Sequence, residues 1–161
     1  VGEIVARGPN IMKGYWGQED LTKNTIKNGW LHTGDAAHMD DEGFIFISDR
    51  LKDMIISGGE NIYSTEVENA LYEHQDVAQC AVIGIPDEKW GERVHAIVVP
   101  REGKDPSSEE LIQHCKGLIA DYKCPRSISY RSEPLPLSGP GKVLKTELRK
   151  PFWKNKNRQV N

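Results

Sequence analysis

The residues best suited to chemistry form a glycine-flanked lysine, Gly139-Pro140-Gly141-Lys142, in the last quarter of the 161-residue sequence. Small residues allow a backbone to approach an anion closely, and the ammonium group supplies positive charge, so the segment suits a phosphate. Its spacing differs from that of the common phosphate-binding loop, which requires glycine where Pro136 stands and serine or threonine where Val143 stands. Taken alone, the segment would be interpreted as an exposed lysine in a turn.

Two charged segments could contact a nucleotide. The carboxylate of Asp35, which follows Thr33-Gly34, offers two acceptor oxygens to the adjacent hydroxyls of a ribose, although aspartate is also an ordinary turn residue. Arg50 lies in a charged cluster at residues 49–53, where its planar guanidinium could bridge ribose or phosphate oxygens. The alternative for Arg50 is a surface ion pair with a neighbouring aspartate, which would contribute little to stability.

A third candidate is the glycine pair Gly58-Gly59, which leaves room for a narrow ligand or simply forms a hairpin turn. The five histidines and three cysteines show no spacing typical of a metal site. We therefore predict no bound metal from these residues.

Charge and composition exclude several classes of protein. The net charge of −3 gives no general reason to expect a nucleic-acid partner. The stretch from Lys142 to Arg158 is locally basic, with only Glu147 opposing it, and we interpret it as a solvated helix and tail. Salt-dependent nucleic-acid binding through Lys154, Lys156 and Arg158 is the alternative. No apolar stretch is long enough for a membrane span, and an odd number of unpaired cysteines favours the reducing cytoplasm.

The elements that must position these residues change character near residues 49–53. Before this point the sequence predicts short strands and turns, including a hairpin of residues 36–39 and 44–48 joined by an acidic turn that ends at Gly43. A strand opening directly at residue 2 is typical of a segment from a larger protein. We expect a domain boundary here, between residues 1–51 and 52–161.

After the boundary, strands and helices alternate. Residues 54–56 predict a short strand, and Ser64 or Thr65 predicts the cap of a helix that continues to His74. Further strands are expected at residues 77–85, 94–99 and 128–130, with helices from the S-x-x-E capping box at Ser107 and from Lys145 to Trp153. The order indicates an α+β domain with a three-stranded sheet, flanking helices and a β-hairpin, preceded by β-strands from the end of a larger domain.

Taken together, the motifs are far more specific than any one of them. They are, in chain order, Gly2-Glu3-Ile4, Gly14-Tyr15-Trp16, residues 29–35 (GWLHTGD), residues 49–55 (DRLKDMI), residues 57–63 (SGGENIY), Glu66-Val67-Glu68 and residues 136–142 (PLSGPGK). This series resembles the later core motifs of the adenylate-forming superfamily, which contains acyl-CoA synthetases, firefly-type luciferases and peptide-synthetase adenylation domains. The resemblance covers essentially the whole chain.

The resemblance implies a role for nine residues. Lys142 matches the catalytic lysine that spans the carboxylate and the α-phosphate, and Asp35 and Arg50 match the residues that bind the nucleotide. Lys52 stands at the hinge between the large N-terminal domain and the small C-terminal domain. The residues implied in CoA binding are Gly58, Gly59, Glu60, Trp90 and Lys123.

The function implied is that of the C-terminal fragment of an AMP-forming acyl-CoA synthetase, a cytoplasmic ligase that activates a medium- or long-chain or aryl acid. Its substrates and cofactors would be ATP, Mg²⁺ and CoA, and its partner would be its own N-terminal domain. The ending after Trp153, without a carrier domain, disfavours a peptide-synthetase module. The alternative is a folded binding or interaction module that is inactive in isolation, because the phosphate loop and acyl pocket lie upstream.

Overall fold

The structure, a computed structural model, describes residues 1–154 and divides the chain into two compact units. The first unit is Val1–Lys52, and the second begins at Asp53. Of the basic stretch expected near the C-terminus, Lys156 and Arg158 lie outside the described residues. No helix in the described part of the chain is both long and apolar enough to cross a membrane.

The first unit is an antiparallel sheet with one short helix. Its elements are β1 (Gly2–Ala6), α1 (Glu19–Thr25), β2 (Ile26–Lys27), β3 (Trp30–Met39) and β4 (Ile45–Arg50). The long strand β3 pairs with each of the other three strands. The predicted hairpin is confirmed as β3 and β4, and Gly43 adopts a positive φ of 88° in its turn, where glycine carries no steric penalty.

Helix α1 was not expected from the sequence. It spans seven residues, none of them buried, so no apolar face marks it. Its geometry depends on Thr22, whose hydroxyl donates to Gln18 O and accepts from Tyr15 N, both at 2.9 Å. A single threonine side chain thus secures the turn, and such a contact leaves no periodic signal.

The second unit is built on a mixed five-stranded sheet with three helices. Its elements are β5 (Ile55–Ser57), β6 (Glu60–Ile62), α2 (Ser64–Tyr72), β7 (Val77–Asp87), β8 (Gly91–Pro100), α3 (Ser108–Leu118), β9 (Ser127–Tyr130) and α4 (Lys145–Trp153). The β7–β8 hairpin is the main ladder, and β9 runs parallel to β8. The expected three strands and hairpin are confirmed, and the β5–β6 hairpin joins the sheet by the Ser57–Gly91 pair.

Two apolar layers pack on the opposite faces of this sheet. Because successive strand residues point to opposite sides, Cys80 and Val82 of β7 pack with helices α2 and α3, whereas Ala81 and Ile83 pack with α4 through Leu148. All five side chains are buried. Helix α4 therefore lies on one layer, and α2 and α3 form the other.

The outer edge of β7 carries side chains from both layers. The hydroxyl of Tyr72 accepts from Cys80 N, and the Glu68 carboxylate accepts from Val82 N at 2.7 Å. Two residues further along, the Trp153 indole donates to Gly84 O at 3.1 Å. Alternate residues of the strand are thus bonded to α2 and α4 rather than to another strand.

The expected cap of α2 is wrong. The cap position is Tyr63, whose side chain makes no capping hydrogen bond, and Ser64 is the first residue of the helix itself. The Ser64 hydroxyl is fully buried and accepts a hydrogen bond from Lys145 Nζ at 2.7 Å. The Ser64 hydroxyl therefore makes a tertiary contact with Lys145 instead of capping the helix, as local sequence rules predict. The Ser107 cap of α3 is confirmed, since its hydroxyl accepts from Glu110 N.

A histidine lies between β8 and β9. The Nδ1 of His95 is 2.7 Å from the Ser127 hydroxyl, its Nε2 is bonded to the Ser129 hydroxyl, and its ring packs against Phe152 of α4. Burial, with a smaller contribution from the positive charge of Arg93, lowers the pKa of His95 from 6.5 to about 4. The folded protein therefore holds this ring neutral.

We predict that acid weakens the second unit through His95. In the unfolded chain the ring gains a proton near pH 6.5, but in the folded chain only near pH 4, so the unfolded state binds more protons in this window. The contribution is complete above pH 6.5 and declines as the pH falls towards 4. Urea unfolding at pH 7 and pH 5 should show a smaller loss of stability for His95→Gln than for the wild type. An equal loss in His38→Gln and His95→Gln, the former having an exposed ring, would contradict this assignment.

Candidate functional site

The segment around Asp35 is a bulge in strand β3. Between the pairs Glu3–Ala36 and Val5–His32, one residue of β1 lies opposite three residues of β3. The Glu3 carboxylate fastens the bulge, accepting from Gly34 N at 3.0 Å and bonding His32 Nδ1 at 2.6 Å. That bond to His32 is the main reason why the pKa of Glu3 lies below its usual range. Bulges commonly re-aim a side chain beside a binding site.

Asp35 and Arg50, the two expected nucleotide residues, are direct cross-strand neighbours in the first unit. Arg50 Nε lies 3.0 Å from Asp35 Oδ1, and both side chains are partly exposed. The alternative expected from the sequence, a side-chain ion pair of Arg50 with a sequence neighbour, is not what is observed. Asp49 instead accepts from the Arg50 backbone N–H at 2.7 Å. The pair presents a carboxylate and a guanidinium side by side.

Lys142 lies at the tip of a short braced hairpin in the second unit. Gly141 N donates to Ser138 O at 2.8 Å, Ser138 N to Lys142 O at 2.7 Å, and Leu144 N to Pro136 O at 2.8 Å. Gly141 has φ = 81°, which suits the final residue of such a turn. The Lys142 side chain is exposed, and its ammonium has no hydrogen bond or ion pair among residues 1–154. A rigid backbone therefore carries an unneutralised charge.

The Gly58-Gly59 turn lies against Trp90. Gly58 N donates to Trp90 O at 2.9 Å, and a Cβ on Gly58 would lie only 2.6 Å from Trp90 Cε3. Gly59 also has a positive φ, yet nothing lies within 4 Å of its Cβ position. The backbone N–H of Trp90 also donates to Asp87 Oδ1, at 3.0 Å. That bond and the Lys89 N–H lower the pKa of Asp87.

Two cations flank the Trp90 ring. Lys89 Nζ is 4.6 Å from the ring centroid, and the Arg126 guanidinium carbon is 5.4 Å from it. Sequence reasoning singled out Trp90 but missed both cations. No signal in the sequence could have paired Arg126 with Trp90, since the sheet alone brings the two segments together. We call Lys89, Trp90 and Arg126 the aromatic–cation cluster.

The remaining expected residues are placed separately. Lys123 donates to both carboxylate oxygens of Glu66, at 2.7 and 2.9 Å, and this pairing raises the pKa of Lys123. Glu60 is exposed at the start of β6, and Lys52 lies in a one-turn 3-10 helix, Leu51–Asp53. The structure thus brings Asp35 to Arg50, and Gly58 to Trp90. It shows no contact of Lys123 with the aromatic–cation cluster.

Metal ligands are not clustered in the described chain. Among residues 1–154, no group of three histidine, cysteine, aspartate or glutamate side chains could hold an ion. The three cysteines are free and buried, and burial raises the pKa of Cys80 and Cys115 to about 12, which makes them unreactive thiols.

Comparison with known proteins assigns the second unit to a class. Residues 66–142 match the AMP-binding enzyme C-terminal domain, and the match ends at Lys142. Feruloyl-CoA synthase of an Amycolatopsis species is 50% identical over 94% of this chain, and the long-chain-fatty-acid–CoA ligase of Bacillus subtilis is 46% identical over 91%. The chain spans about 30% of the length of the curated relatives it matches, 30% and 26% for these two.

Solved structures agree with this assignment. The o-succinylbenzoate CoA synthetase of Bacillus subtilis, in complex with its acyl-adenylate intermediate, superposes with a TM-score of 0.84 at 41% identity, over 99% of this chain and 31% of that protein. An amide bond synthetase from Marinactinospora thermotolerans gives 0.83 at 38% identity, over 94% and 31%. The chain belongs to the adenylate-forming superfamily and corresponds to the C-terminal portion of its acyl-CoA synthetases.

The packing of Gly58 on Trp90 leads to a prediction. Both Gly58→Ala and Gly59→Ala force a left-handed residue with a Cβ, which costs about 1–2 kcal/mol. Only Gly58→Ala also places its methyl group against the ring, so it should lower the free energy of unfolding by at least about 1 kcal/mol more. Urea unfolding and the Trp90 indole NMR signal would measure this. Equal stabilities of the two variants would show that the Trp90 ring does not require the absence of a side chain at position 58.

Proposed function

We propose that this chain is the C-terminal portion of an AMP-forming acyl-CoA synthetase, which joins a carboxylic acid to CoA through an acyl-adenylate. The observation that carries the proposal is the Lys142 hairpin, an exposed and unpaired ammonium on a braced turn, at the end of the matched family domain. The names of the relatives, which include feruloyl-CoA and long-chain-fatty-acid–CoA ligases, support a fatty or aryl acid as substrate.

In the first half-reaction, Lys142 would stabilise the adenylation transition state. The acid's carboxylate oxygen attacks the α-phosphorus of ATP, a P–O bond forms, and pyrophosphate leaves with its electron pair. Two anions meet, and negative charge grows on the equatorial oxygens of the phosphoryl group. A fixed cation there stabilises the transition state more than the separated reactants, which raises the rate. An ammonium already paired with a carboxylate would lose this effect, so its lack of a partner in residues 1–154 matters.

The nucleotide would be held by the first unit. The Asp35 carboxylate suits the ribose hydroxyls, and the Arg50 fork can contact the same nucleotide while keeping its bond to Asp35. No group of three metal-ligating side chains occurs among residues 1–154, so we assign the Mg²⁺ of this reaction no ligand and no step in this chain. The free cysteines support a reducing, cytoplasmic location.

In the second half-reaction, the Gly58-Gly59 turn would border the path of the incoming thiol. The thiol sulfur attacks the acyl carbon of the adenylate and loses its proton, and AMP leaves with the electron pair of the broken C–O bond. This step requires Lys142 to withdraw and the thiol to reach the adenylate, a hinge movement that we assign to Lys52. The aromatic–cation cluster offers a stacking face with two positive charges, which suits a phosphorylated adenine nucleotide such as that of CoA. Lys123 would assist, although Glu66 already neutralises it.

A second acceptor is the thiol of an acyl carrier protein. A fatty acid–acyl-carrier-protein ligase of Streptomyces coeruleorubidus is 44% identical over the whole of this chain and 31% of its own length. The aromatic–cation cluster favours CoA, because a carrier protein brings no nucleotide to occupy it. The other alternative is an interaction module without activity.

One prediction of the proposed function concerns Lys142. In the full protein, Lys142→Ala should slow acyl-adenylate formation by roughly 10²-fold or more, because a preorganised charge is lost. Thioester formation from supplied acyl-adenylate should remain close to wild type, since Lys142 has left by then. ATP–pyrophosphate exchange across a panel of acids, with Lys150→Ala as the control, would measure this. The 161-residue chain alone should release no pyrophosphate, and activity in it above a Lys142→Ala control would contradict the proposal.

Another prediction tests whether the chain recognises the nucleotide of CoA. Arg126→Ala should raise the KM for CoA by about 10-fold, the effect of losing one charge-assisted contact. The KM for pantetheine, which carries the same thiol without the nucleotide, should not change. Arg101→Ala is the matched control, because this exposed residue lies beyond the opposite end of β8. Equal changes in the KM for CoA and the KM for pantetheine would contradict nucleotide binding at the aromatic–cation cluster. The carrier protein would then be the favoured acceptor.

A further inference from the structure

The position of Lys142 depends on helix α4. The hairpin that carries it closes with the bond from Leu144 N to Pro136 O, and Lys145 begins the helix at the next residue. Val143 packs with the apolar layer under α4, and Leu148 of the helix is buried in the same layer. No flexible connection separates the ammonium-bearing turn from the helix. Any rotation or sliding of α4 therefore displaces Lys142.

The first turn of α4 is held by an ion pair that is largely, though not fully, buried. Lys145 Nζ lies 2.7 Å from Glu68 Oε1 and 2.7 Å from the Ser64 hydroxyl, and the side chains of Lys145 and Glu68 are only 13% and 16% exposed. The same carboxylate oxygen accepts from Val82 N of β7. Glu68 thus joins α4 to α2 and to the edge of the sheet at once.

A second buried ion pair holds the middle of α4. Arg149 Nη1 lies 2.9 Å from Asp53 Oδ1, with side-chain exposures of 8% and 16%. Asp53 directly follows Lys52, the residue to which we assign the hinge. A change of backbone angles at Lys52 must move Asp53, and Asp53 is bonded to α4, the helix that directly follows the Lys142 hairpin.

Buried ion pairs are poor devices for stability alone. Removing two charges from water is costly, and well-packed apolar residues of similar size often serve as well or better. The ion pairs fix the position of α4 on the apolar layer. An apolar contact tolerates sliding of the helix, whereas a 2.9 Å hydrogen bond between charged groups does not. One exposed pair on the same helix, Glu147–Lys150, lacks this property and serves as a comparison.

We propose that Asp53 and Glu68 are positioning residues for Lys142, which hold α4 through Arg149 and Lys145 and transmit the hinge rotation to the lysine. This inference rests on the proposed function. Their bonds fix where the ammonium lies when the adenylate forms, and they have no role once Lys142 has withdrawn.

The kinetic test is a double-mutant cycle in the full protein. Asp53→Asn and Glu68→Gln should each slow acyl-adenylate formation by about 10-fold, the loss expected when one partner of a charged hydrogen bond is replaced by a neutral one. Thioester formation from supplied acyl-adenylate should not change. In a Lys142→Ala background neither substitution should cause further loss, because there is no ammonium left to misplace. Glu147→Gln is the control and should leave both steps unchanged.

A purely structural role would give a different pattern. Losses that are equal in both half-reactions, or that persist in full in the Lys142→Ala background, would overturn the proposal. If Asp53→Asn does not fold, the Glu68→Gln cycle decides by the same criteria, since that substitution keeps the shape of the side chain and a hydrogen-bonding oxygen.

Hydrogen exchange in the 161-residue chain tests the attachment without any activity. In Asp53→Asn and Glu68→Gln, the amides of Ser138, Gly141 and Leu144, which close the hairpin, should exchange about 10-fold faster, while those of α3 keep their protection. Unchanged hairpin exchange in both variants would overturn the attachment. If the wild-type full protein forms no acyl-adenylate with any acid, the proposed function fails, and the exchange result still decides whether Asp53 and Glu68 hold the hairpin.

Discussion

In the second unit, the ammonium of Lys142 is exposed and has no partner among residues 1–154, and backbone bonds hold the turn that bears it. Because such a side chain gains no bond that would orient it, only its backbone can fix its position. The hairpin from Pro136 to Leu144 meets this need with three short backbone bonds. It is then continued by α4, whose Lys145 and Arg149 are paired with Glu68 and Asp53. The carboxylate of Glu147, on the same helix, is bonded to Lys150. These three carboxylates therefore have cationic partners other than Lys142.

The first unit solves a related problem with a bulge. A regular strand would point Thr33, Gly34 and Asp35 alternately to the two faces of the sheet. The extra residues of β3, fastened by Glu3, interrupt its regular pairing with β1, and on its other side β3 pairs Asp35 with Arg50 of β4. A carboxylate and a guanidinium in contact limit each other's rotamers, which under the proposed function would prepare both for the nucleotide.

Much of this was predictable from the sequence, and the exceptions have physical reasons. The strands β7 and β8 follow from apolar, β-rich runs and the Ser107 cap follows from local capping rules, and the helix expected from Lys145 to about Trp153 is α4. Local capping rules fail where a side chain bonds a residue that is distant in sequence. The Ser64 hydroxyl, for example, accepts from a lysine 81 residues away. Arg149 and Asp53 are 96 residues apart, and Arg126 reaches Trp90 only through the sheet. Helix α1 was missed because it buries nothing. The order of the motifs was enough to name the residues that the family resemblance implies. It could not predict the contacts that support them.

The covered edge of β7 also bears on association between molecules. An open edge strand offers a row of unpaired backbone groups, and such a row can recruit a strand from another molecule. Tyr72, Glu68 and Trp153 occupy the groups that an intruding strand would need, and they come from the same helices that build the core. The contacts that hold the helices in place thereby also protect this edge against self-association.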